Sequence, residues 1–413
     1  MKSKIWVLIL VATFVGSVFT GISGPAVSAA ADENTVKIAA IIPLTGTNAA
    51  WGTRNDRGMR LMIDKINAWG GIKSLGGAKF KYITADTESK PEIAQAQAEK
   101  VAAEGVSAVF GTNQSPATIT ATQVLERKKI PLICVSDFDP LITSRGFKYI
   151  FRTTPIMRDL AKMLPIFAEA MNKENGTNYM KVGILCEDSI VGDSAAKALD
   201  KISKEHGFTV VDVVKYNAAT TKDFTGVLSR FKAQGVELLF GHNKPADSIQ
   251  IVRNMKEVNF NSAMVGGIGG GWVAPEFPVN LGSLTEGIIV SDVSLPSVDV
   301  PKFREVKEEY EKEYKEEIPS NAVGGISGIW LLYTALEKCG SKDPKVIAKA
   351  LRETKLDYCE GYFFQQFGVE FNEAGDNVRT GATISQFQGG TRVPVFPADA
   401  AKAEALWPKP NFQ

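Results

Sequence analysis

The chain has 413 residues, 44% hydrophobic and 23% charged, with a formal charge of +1. That is an ordinary globular balance, long enough for two domains, and it offers no electrostatic case for a nucleic-acid or membrane-surface partner. Two histidines, His206 and His242, leave little scope for His-based metal sites or catalytic triads.

At the N-terminus, Lys2 and Lys4 precede the apolar run "IWVLILVATFVGSVF", and small residues follow in "GPAVSAAADEN". A charged start, an apolar middle and an A-x-A-like site predict a secretory signal peptide over residues 1–31, cleaved near Ala29–Ala31. The run is short for a membrane anchor. No cysteine follows it to carry a lipid, so a soluble protein exported to the periplasm is expected.

The β-rich "TVKIAAIIP" comes next, then a helix whose buried face is Met59, Met62, Ile63 and Ile66, stopped by Gly70 and Gly71. "KFKYITAD" reads as a strand, a helix runs from Pro91 through Val101, and "VSAVFG" is a strand again. Ser115-Pro116 suits an N-cap and first-turn pair for the next helix, and "IPLICVS" is the fourth strand. After "IFRTTP" the alternation restarts: helix 158–172, "KVGILC", helix 192–206, "FTVVDVV", helix "DFTGVLSRFKAQG", "VELLFG", helix 245–258 and "SAMVG". Strands alternating with helices predict parallel βαβ units, here two α/β units of roughly 120 residues each. Past Gly287, "GIIVSDVSLP" leads into the charged "PKFREVKEEYEKEYKEE", with Phe303, Val306, Tyr310 and Tyr314 on one stripe of an amphipathic helix. "AVGGISGIWLLYTALEKC" is apolar nearly all round and should be buried. Residues 360–413 read as strand-like with a Pro-rich closure.

Of the four cysteines, Cys134 and Cys186 end strand-like runs and read as buried thiols. Cys339 and Cys359 flank the helix "DPKVIAKALRETK", where a disulfide joining its two ends is an open alternative to free thiols.

The Gly-rich "MVGGIGGGWV" fails as a dinucleotide or phosphate loop. Its third glycine is misplaced, "WVAPEFPVN" is too Pro-broken for the required helix, and no G-x-x-x-x-G-K-[ST] occurs. No G-x-S-x-G elbow is present. Asp137, Asp139, Glu187 and Asp188 could pair as acid and base, but acids at strand ends are more often loop and cap residues. No cofactor or metal is implied.

The loops after the strands are "TGTNAAWG", "GTNQSP", "SDFDP", "EDSIVGDS", "GHNKPADS" and "GGIGGGW". In open parallel sheets that edge binds ligands. Their hydroxyls, amides and aromatics make a recognition surface rather than a catalytic one. Gln114 and Ser115 stand at a helix start suited to a carboxylate; Trp51 and Phe138 suit an apolar group, with ordinary packing the alternative for each.

With "IAAIIPLTGTNAAWG", "RGMRLMIDKINAWGGI", "SRGFKYIFRTTP", "DFTGVLSRFK" and "VPVFPADAAKA" in order and at these spacings, the whole mature chain resembles the type I periplasmic binding proteins of branched-chain amino acid ABC importers. The resemblance implies a non-enzymatic α/β protein of two doubly wound parallel-sheet lobes, joined by three crossovers and closing by hinge motion on a small ligand. The lobes would be 34–153 plus 290–357, and 154–289 plus 358–413, with crossings near Arg152–Pro155, Ser291–Leu295 and Lys355–Gly361. The implied partners are a small-molecule ligand and the ABC permease and ATPase subunits of the inner membrane, with the chain itself a monomer.

Carried over residue by residue, the family's aromatic is Trp51 and its carboxylate-binding serine is Ser115. Its threonine position is Phe138, its second-lobe tyrosine is Val191, and its tyrosine-bearing loop is His242-Asn243-Lys244. The acid that meets an α-ammonium in amino-acid binders is replaced by Ile268, with Trp272 nearby. A desolvated ammonium without a partner costs several kcal/mol. The expected ligand is therefore an apolar or aromatic acid, with Ser115 on its carboxylate and Trp51, Phe138, Val191 and Ile268 around its ring. The alternative is an amino acid or amide whose nitrogen meets Asp137. An exported sensor subunit, or an exported hydrolase using Ser115, are the rival functional classes.

Overall fold

The computed structural model describes residues 34–293, 301–356, 368–398 and 400–412. The expected signal peptide lies outside these residues, as does Cys359 of the candidate cysteine pair. Cys339 is half-buried, its Sγ 3.7 Å from the Ser341 carbonyl oxygen.

The first half builds β1 (Thr35–Ile42), α1 (Ala49–Ala68), β2 (Lys79–Asp86), α2 (Pro91–Ala103), β3 (Ala108–Gly111), α3 (Ser115–Lys128), β4 (Leu132–Cys134) and β5 (Ile150–Arg152). These strands form one parallel sheet in the order β2-β1-β3-β4-β5. A sheet covered on both faces needs strands that are apolar throughout. β1 supplies this: Ile38, Ala40 and Ile42 enter the core shared with α1, while Ala39 and Ile41 face the core beneath α2 and α3. The expected stripe Met59, Met62, Ile63 and Ile66 is buried, and the chain turns at Gly70 and Gly71 with positive φ.

The second half follows as α4 (Met157–Ala161), α5 (Met163–Asn175), β6 (Lys181–Glu187), α6 (Ile190–Glu205), β7 (Thr209–Tyr216), α7 (Thr225–Ala233), β8 (Leu238–Gly241), α8 (Pro245–Glu257), β9 (Met264–Ile268), α9 (Glu276–Leu281) and β10 (Ile289–Asp292). The single helix expected over 158–172 is thus two, broken at Lys162, with Pro165 tolerated in the first turn of the second. The chain then returns to the first core through α10 (Pro301–Tyr314), α11 (Ser320–Cys339) and α12 (Pro344–Arg352). Val306, Tyr310, Ile326, Ile329 and Leu332 are buried there. α11 lies tightly on α1: a Cβ at Gly325 would meet the Asn55 carbonyl oxygen at 2.5 Å.

The strands β11 (Lys355–Leu356) and β12 (Val369–Glu370) pair with each other, and β13 (Thr383–Gln388) and β14 (Thr391–Phe396) close the described chain's strands. The second sheet has the order β14-β13-β10-β9-β8-β6-β7, with β13 and β14 antiparallel on an otherwise parallel sheet. Two placements differ from the expected lobe limits. Residues 290–292 pair within the second sheet, and Val369 and Phe371 pack in the first core.

The first expected crossing is tied to the chain that follows β12. Arg152 N–H donates to the Gly375 carbonyl, Asn377 N–H donates to the Arg152 carbonyl, and Asn377 Nδ2 reaches the Thr153 carbonyl. The fully buried Arg152 guanidinium holds the Asp139 carbonyl oxygen at 2.6 Å and also the Asp376 carboxylate. The second and third crossings fall partly on residues outside those described.

Candidate functional site

The carboxyl ends of the two sheets face each other across a cavity of about 300 Å³, within the range of small-molecule sites. Of the residues singled out by sequence, Trp51, Gln114, Ser115, Asp137, Phe138 and Val191 line it. Asn243, Ile268 and Trp272 do not.

Each of these three exceptions has a packing reason. β9 extends through Ile268, whose fully buried side chain belongs to the core of the second half; Gly269 and Gly270 reach the cavity instead. Trp272 is 2% exposed and packs on Phe277, 5.4 Å between ring centroids. Its indole fills the space beside Gly267, where a Cβ would lie 2.0 Å from Trp272 Cγ. Asn243 is buried behind the wall, its Oδ1 accepting from Trp272 Nε1 at 3.0 Å and its Nδ2 donating to the Leu185 carbonyl at 3.0 Å. The Gly-rich stretch therefore makes room for a core tryptophan, and neither Ile268 nor Trp272 is available to a ligand ring.

On the first wall, Ser115 opens α3 rather than capping it; Gln114 occupies the cap position without a side-chain cap bond. Ser115 Oγ is thus uncommitted, and the first-turn amides of Ser115 and Ala117 have no intrahelical acceptor. Asp137 is spent locally. Its Oδ2 accepts from Thr118 Oγ1 at 2.7 Å, Asn113 N–H at 3.2 Å and Cys134 Sγ at 3.4 Å. Burial lifts the Asp137 carboxyl above its usual range, with the bonds from Thr118, Cys134 and Asn113 opposing. Burial also pushes the Cys134 thiol well up. One oxygen of the nitrogen acceptor expected at Asp137, Oδ2, is already occupied by this network.

The second wall differs. Glu187, the last residue of β6, is 5% exposed and lines the cavity. Its Oε1 accepts from Ser189 Oγ at 3.0 Å, while its Oε2 is buried with no partner. His242 stands beside it, Nε2 3.9 Å from Glu187 Oε1 and Nδ1 2.8 Å from the Ile268 carbonyl oxygen. Asp292, also at the cavity, is paired with Arg392 at 3.3 Å. Lys244, Ile190 and Val273 complete this side. Asn113 Oδ1 and Gln114 Oε1 across the cavity are buried acceptors without partners as well.

Sequence reasoning treated Glu187 as a strand-end acid and His242 as a lost tyrosine. The available signal was position: both sit where parallel strands end, the edge that binds ligands. At the rim, Arg54 on α1 reaches across to Glu276 on α9, Nη2 to Oε1 2.7 Å, and also holds Glu316 at 3.0 Å. Burial opposes the Arg54 charge, but the two carboxylates more than offset it and hold its pKa above the usual value.

A model of the family described as periplasmic binding protein matches residues 35–386. A Leu/Ile/Val-binding protein homolog of Brucella abortus is 28% identical over 384 residues, covering 91% of this chain and 93% of that protein. A leucine binding protein from Thermotoga maritima superposes with a TM-score of 0.75 at 21% identity, covering 87% of this chain and 97% of that one. A solute binding protein of an ABC transporter from Rhodopseudomonas palustris, in complex with 3,4-dihydroxybenzoic acid, gives 0.74 at 22% identity, covering 86% and 93%. The two structural likenesses bear on the fold.

Proposed function

Because the chain belongs to the periplasmic binding protein family, whose members capture solutes outside the cytoplasm for ABC importers, we propose that its ligand is a small zwitterion, an amino acid or close analogue. The carboxylate would lie at the start of α3 against Ser115 Oγ and the first-turn amides, and the nitrogen at Glu187. One observation carries this reading: Glu187 lines the cavity, and its Oε2 is a buried carboxylate oxygen without a partner. A buried unpaired charge costs several kcal/mol, which a ligand ammonium would relieve. The acid missing at Ile268 is thus supplied from β6.

In this reading the protein is a monomer freed of its signal peptide near Ala29–Ala31, with no catalysis of its own. The two halves act as lobes that hinge at the crossings. Ligand favours the closed arrangement because only there do Ser115 and Glu187 act on one molecule. A permease and ATPase would then read the closed surface.

A second reading, an aromatic acid without a nitrogen, is favoured by the apolar side chains of Trp51, Phe138, Ile190, Val191 and Val273 around the cavity. It requires Glu187 to be neutralised by the protein itself.

Isothermal titration of the mature protein with L-leucine, L-leucinamide, benzoate and 3,4-dihydroxybenzoate separates the two. Binding of a nitrogen-bearing probe, weakened about 100-fold by Glu187→Gln through loss of a charged partner, is the expected result. Tighter binding of benzoate or 3,4-dihydroxybenzoate, unchanged or improved in Glu187→Gln, would establish the aromatic-acid reading instead.

A further inference from the structure

We propose that His242 is a specificity-determining residue of this cavity, setting through one proton whether Glu187 is open to a ligand nitrogen. The inference rests on the reading that Glu187 receives that nitrogen, and adds a residue and a pH dependence to it.

The tautomer follows from the partners. The Ile268 carbonyl oxygen 2.8 Å from Nδ1 can only accept, so Nδ1 carries the proton of the neutral ring. Nε2 of the neutral ring then presents a lone pair, 3.9 Å from Glu187 Oε1. Two acceptors converge, and Glu187 Oε2 beside them has no partner. The arrangement is held rigidly. The Glu187 N–H donates to the His242 carbonyl, and the His242 N–H donates to Cys186 Sγ. Gly270 backs the ring, where a Cβ would stand 2.9 Å from His242 Cε1.

Among the charged and titratable surroundings, α8 brings Asp247 and β7 brings Tyr216, whose hydroxyl donates to Asp247 Oδ2 at 3.0 Å; the Glu187 charge acts on both. β6 brings Glu187 and the Cys186 thiol, which burial pushes up to about 12 and so keeps neutral. The loop of His242 itself brings Lys244, β10 brings Asp292 with its Arg392 counter-ion, and Asp137 stands in the first wall. The start of α6 brings only Ser189, Ile190 and Val191 to the cavity, and the β9 loop only Gly269 and Gly270. Glu187 is the acid within ion-pair reach of Nε2.

Protonation therefore occurs at Nε2, and it places a cation against Glu187 Oε1, next to the Oε2 that a ligand ammonium would use. Proton and ligand nitrogen compete for one carboxylate. Binding a nitrogen-bearing ligand expels up to one proton, and its affinity rises with pH across the His242 titration, by up to about tenfold per pH unit on the acid side. A carboxylate ligand without a nitrogen has the opposite slope, because His242 in its charged form cancels the repulsion from Glu187.

The test is titration calorimetry of L-leucine and of benzoate at pH 5.5, 6.5 and 7.5, in buffers of different ionisation enthalpy, for the mature wild type, His242→Gln and Glu187→Gln. Gln keeps a donor for the Ile268 carbonyl but cannot titrate. The expected result is leucine affinity at least tenfold weaker at pH 5.5 than at 7.5, with proton release on binding. In His242→Gln the pH effect should shrink below about twofold while binding at pH 7.5 persists. A wild type with no pH effect, or a His242→Gln variant that keeps it, overturns the proposal. Should only benzoate bind, the zwitterion reading fails separately, and His242 still requires benzoate affinity to rise as pH falls, with the slope lost in His242→Gln. Should neither probe bind, the single imidazole left in a His206→Gln background can be titrated by NMR. An unchanged midpoint on adding Glu187→Gln overturns the pairing, and a lowered one supports it.

Discussion

The two walls of the cavity each carry a buried acid, and they spend it differently. On the first wall, Asp137 is turned inward: Thr118, Asn113 and Cys134 all donate to its Oδ2. What that wall leaves for a ligand is the donors of the Ser115 hydroxyl and the amides that open α3, beside the unpartnered side-chain oxygens of Asn113 and Gln114. On the second wall, Glu187 gives one oxygen to Ser189 and keeps the other unpartnered beside His242. What that wall leaves is acceptors. The polarity of the site is set by which acid is already satisfied, not by how many acids surround it.

The donor wall gives the largest effect that tests this contrast from the first half. Ser115→Ala removes a hydroxyl that would donate to a ligand carboxylate, an interaction worth about 1.5–3 kcal/mol when one partner is charged. The affinity of any carboxylate probe should fall about 10- to 100-fold, while leucinamide, which has a neutral amide in place of the carboxylate, loses less. Equal losses for leucine and leucinamide would place the carboxylate elsewhere. Abolition of an ester- or amide-cleaving rate would mark Ser115 as a nucleophile and the protein as a hydrolase.

The fold was legible because both sheets are parallel and covered on both faces. Runs such as "TVKIAAII" and "KVGILC" stand out between glycines and prolines, and β1 and β6 occupy them. The antiparallel hairpin β13–β14 on the second sheet was not foreseen as such, since "TISQFQ" and "TRVPVF" mix polar and apolar residues with no parallel-strand run. In the site, Trp51, Gln114, Ser115, Asp137, Phe138 and Val191 were found because strand ends mark the ligand edge. Ile268 was expected in a ligand-facing loop but is the last residue of a strand. β9 continues to it, and the two-residue period of a strand turns its side chain into the core. Asp137 is engaged by Thr118, 19 residues away in sequence, whereas Glu187 accepts from the nearby Ser189, so the two acids could not be told apart until Thr118 was placed.

A smaller effect tests whether the walls act only when brought together. Arg54 belongs to the first half and Glu276 to the second, and their carboxylate–guanidinium contact at 2.7 Å ties the rim closed. Glu276 is 44% exposed, so the pair is partly screened and worth about 1 kcal/mol or less. Arg54→Met should weaken every ligand by up to about fivefold, irrespective of its class. The difference between wild type and variant should shrink as salt is raised. An effect on leucine but not on benzoate would mean that Arg54 addresses the ligand rather than the rim.

The smallest expected effect on binding is at Asp137, and it is the sharpest check on the contrast. If its carboxylate is committed to Thr118, Asn113 and Cys134, then Asp137→Asn should change ligand affinity by less than about threefold, or about 0.7 kcal/mol. A loss as large as that of Glu187→Gln would make Asp137 the nitrogen acceptor and erase the difference between the walls. The same substitution should be visible in stability. Burial raises the Asp137 carboxyl above its ordinary value, so the folded protein holds a proton that the unfolded chain releases. That contribution to stability is fully present below the unfolded value of about 3.9 and is lost as pH rises through the raised folded value. Urea midpoints measured from pH 4 upward should therefore fall less steeply with pH in Asp137→Asn than in wild type. Parallel profiles would mean that Asp137 titrates alike in both states, the bonds from Thr118, Cys134 and Asn113 then fully offsetting its burial.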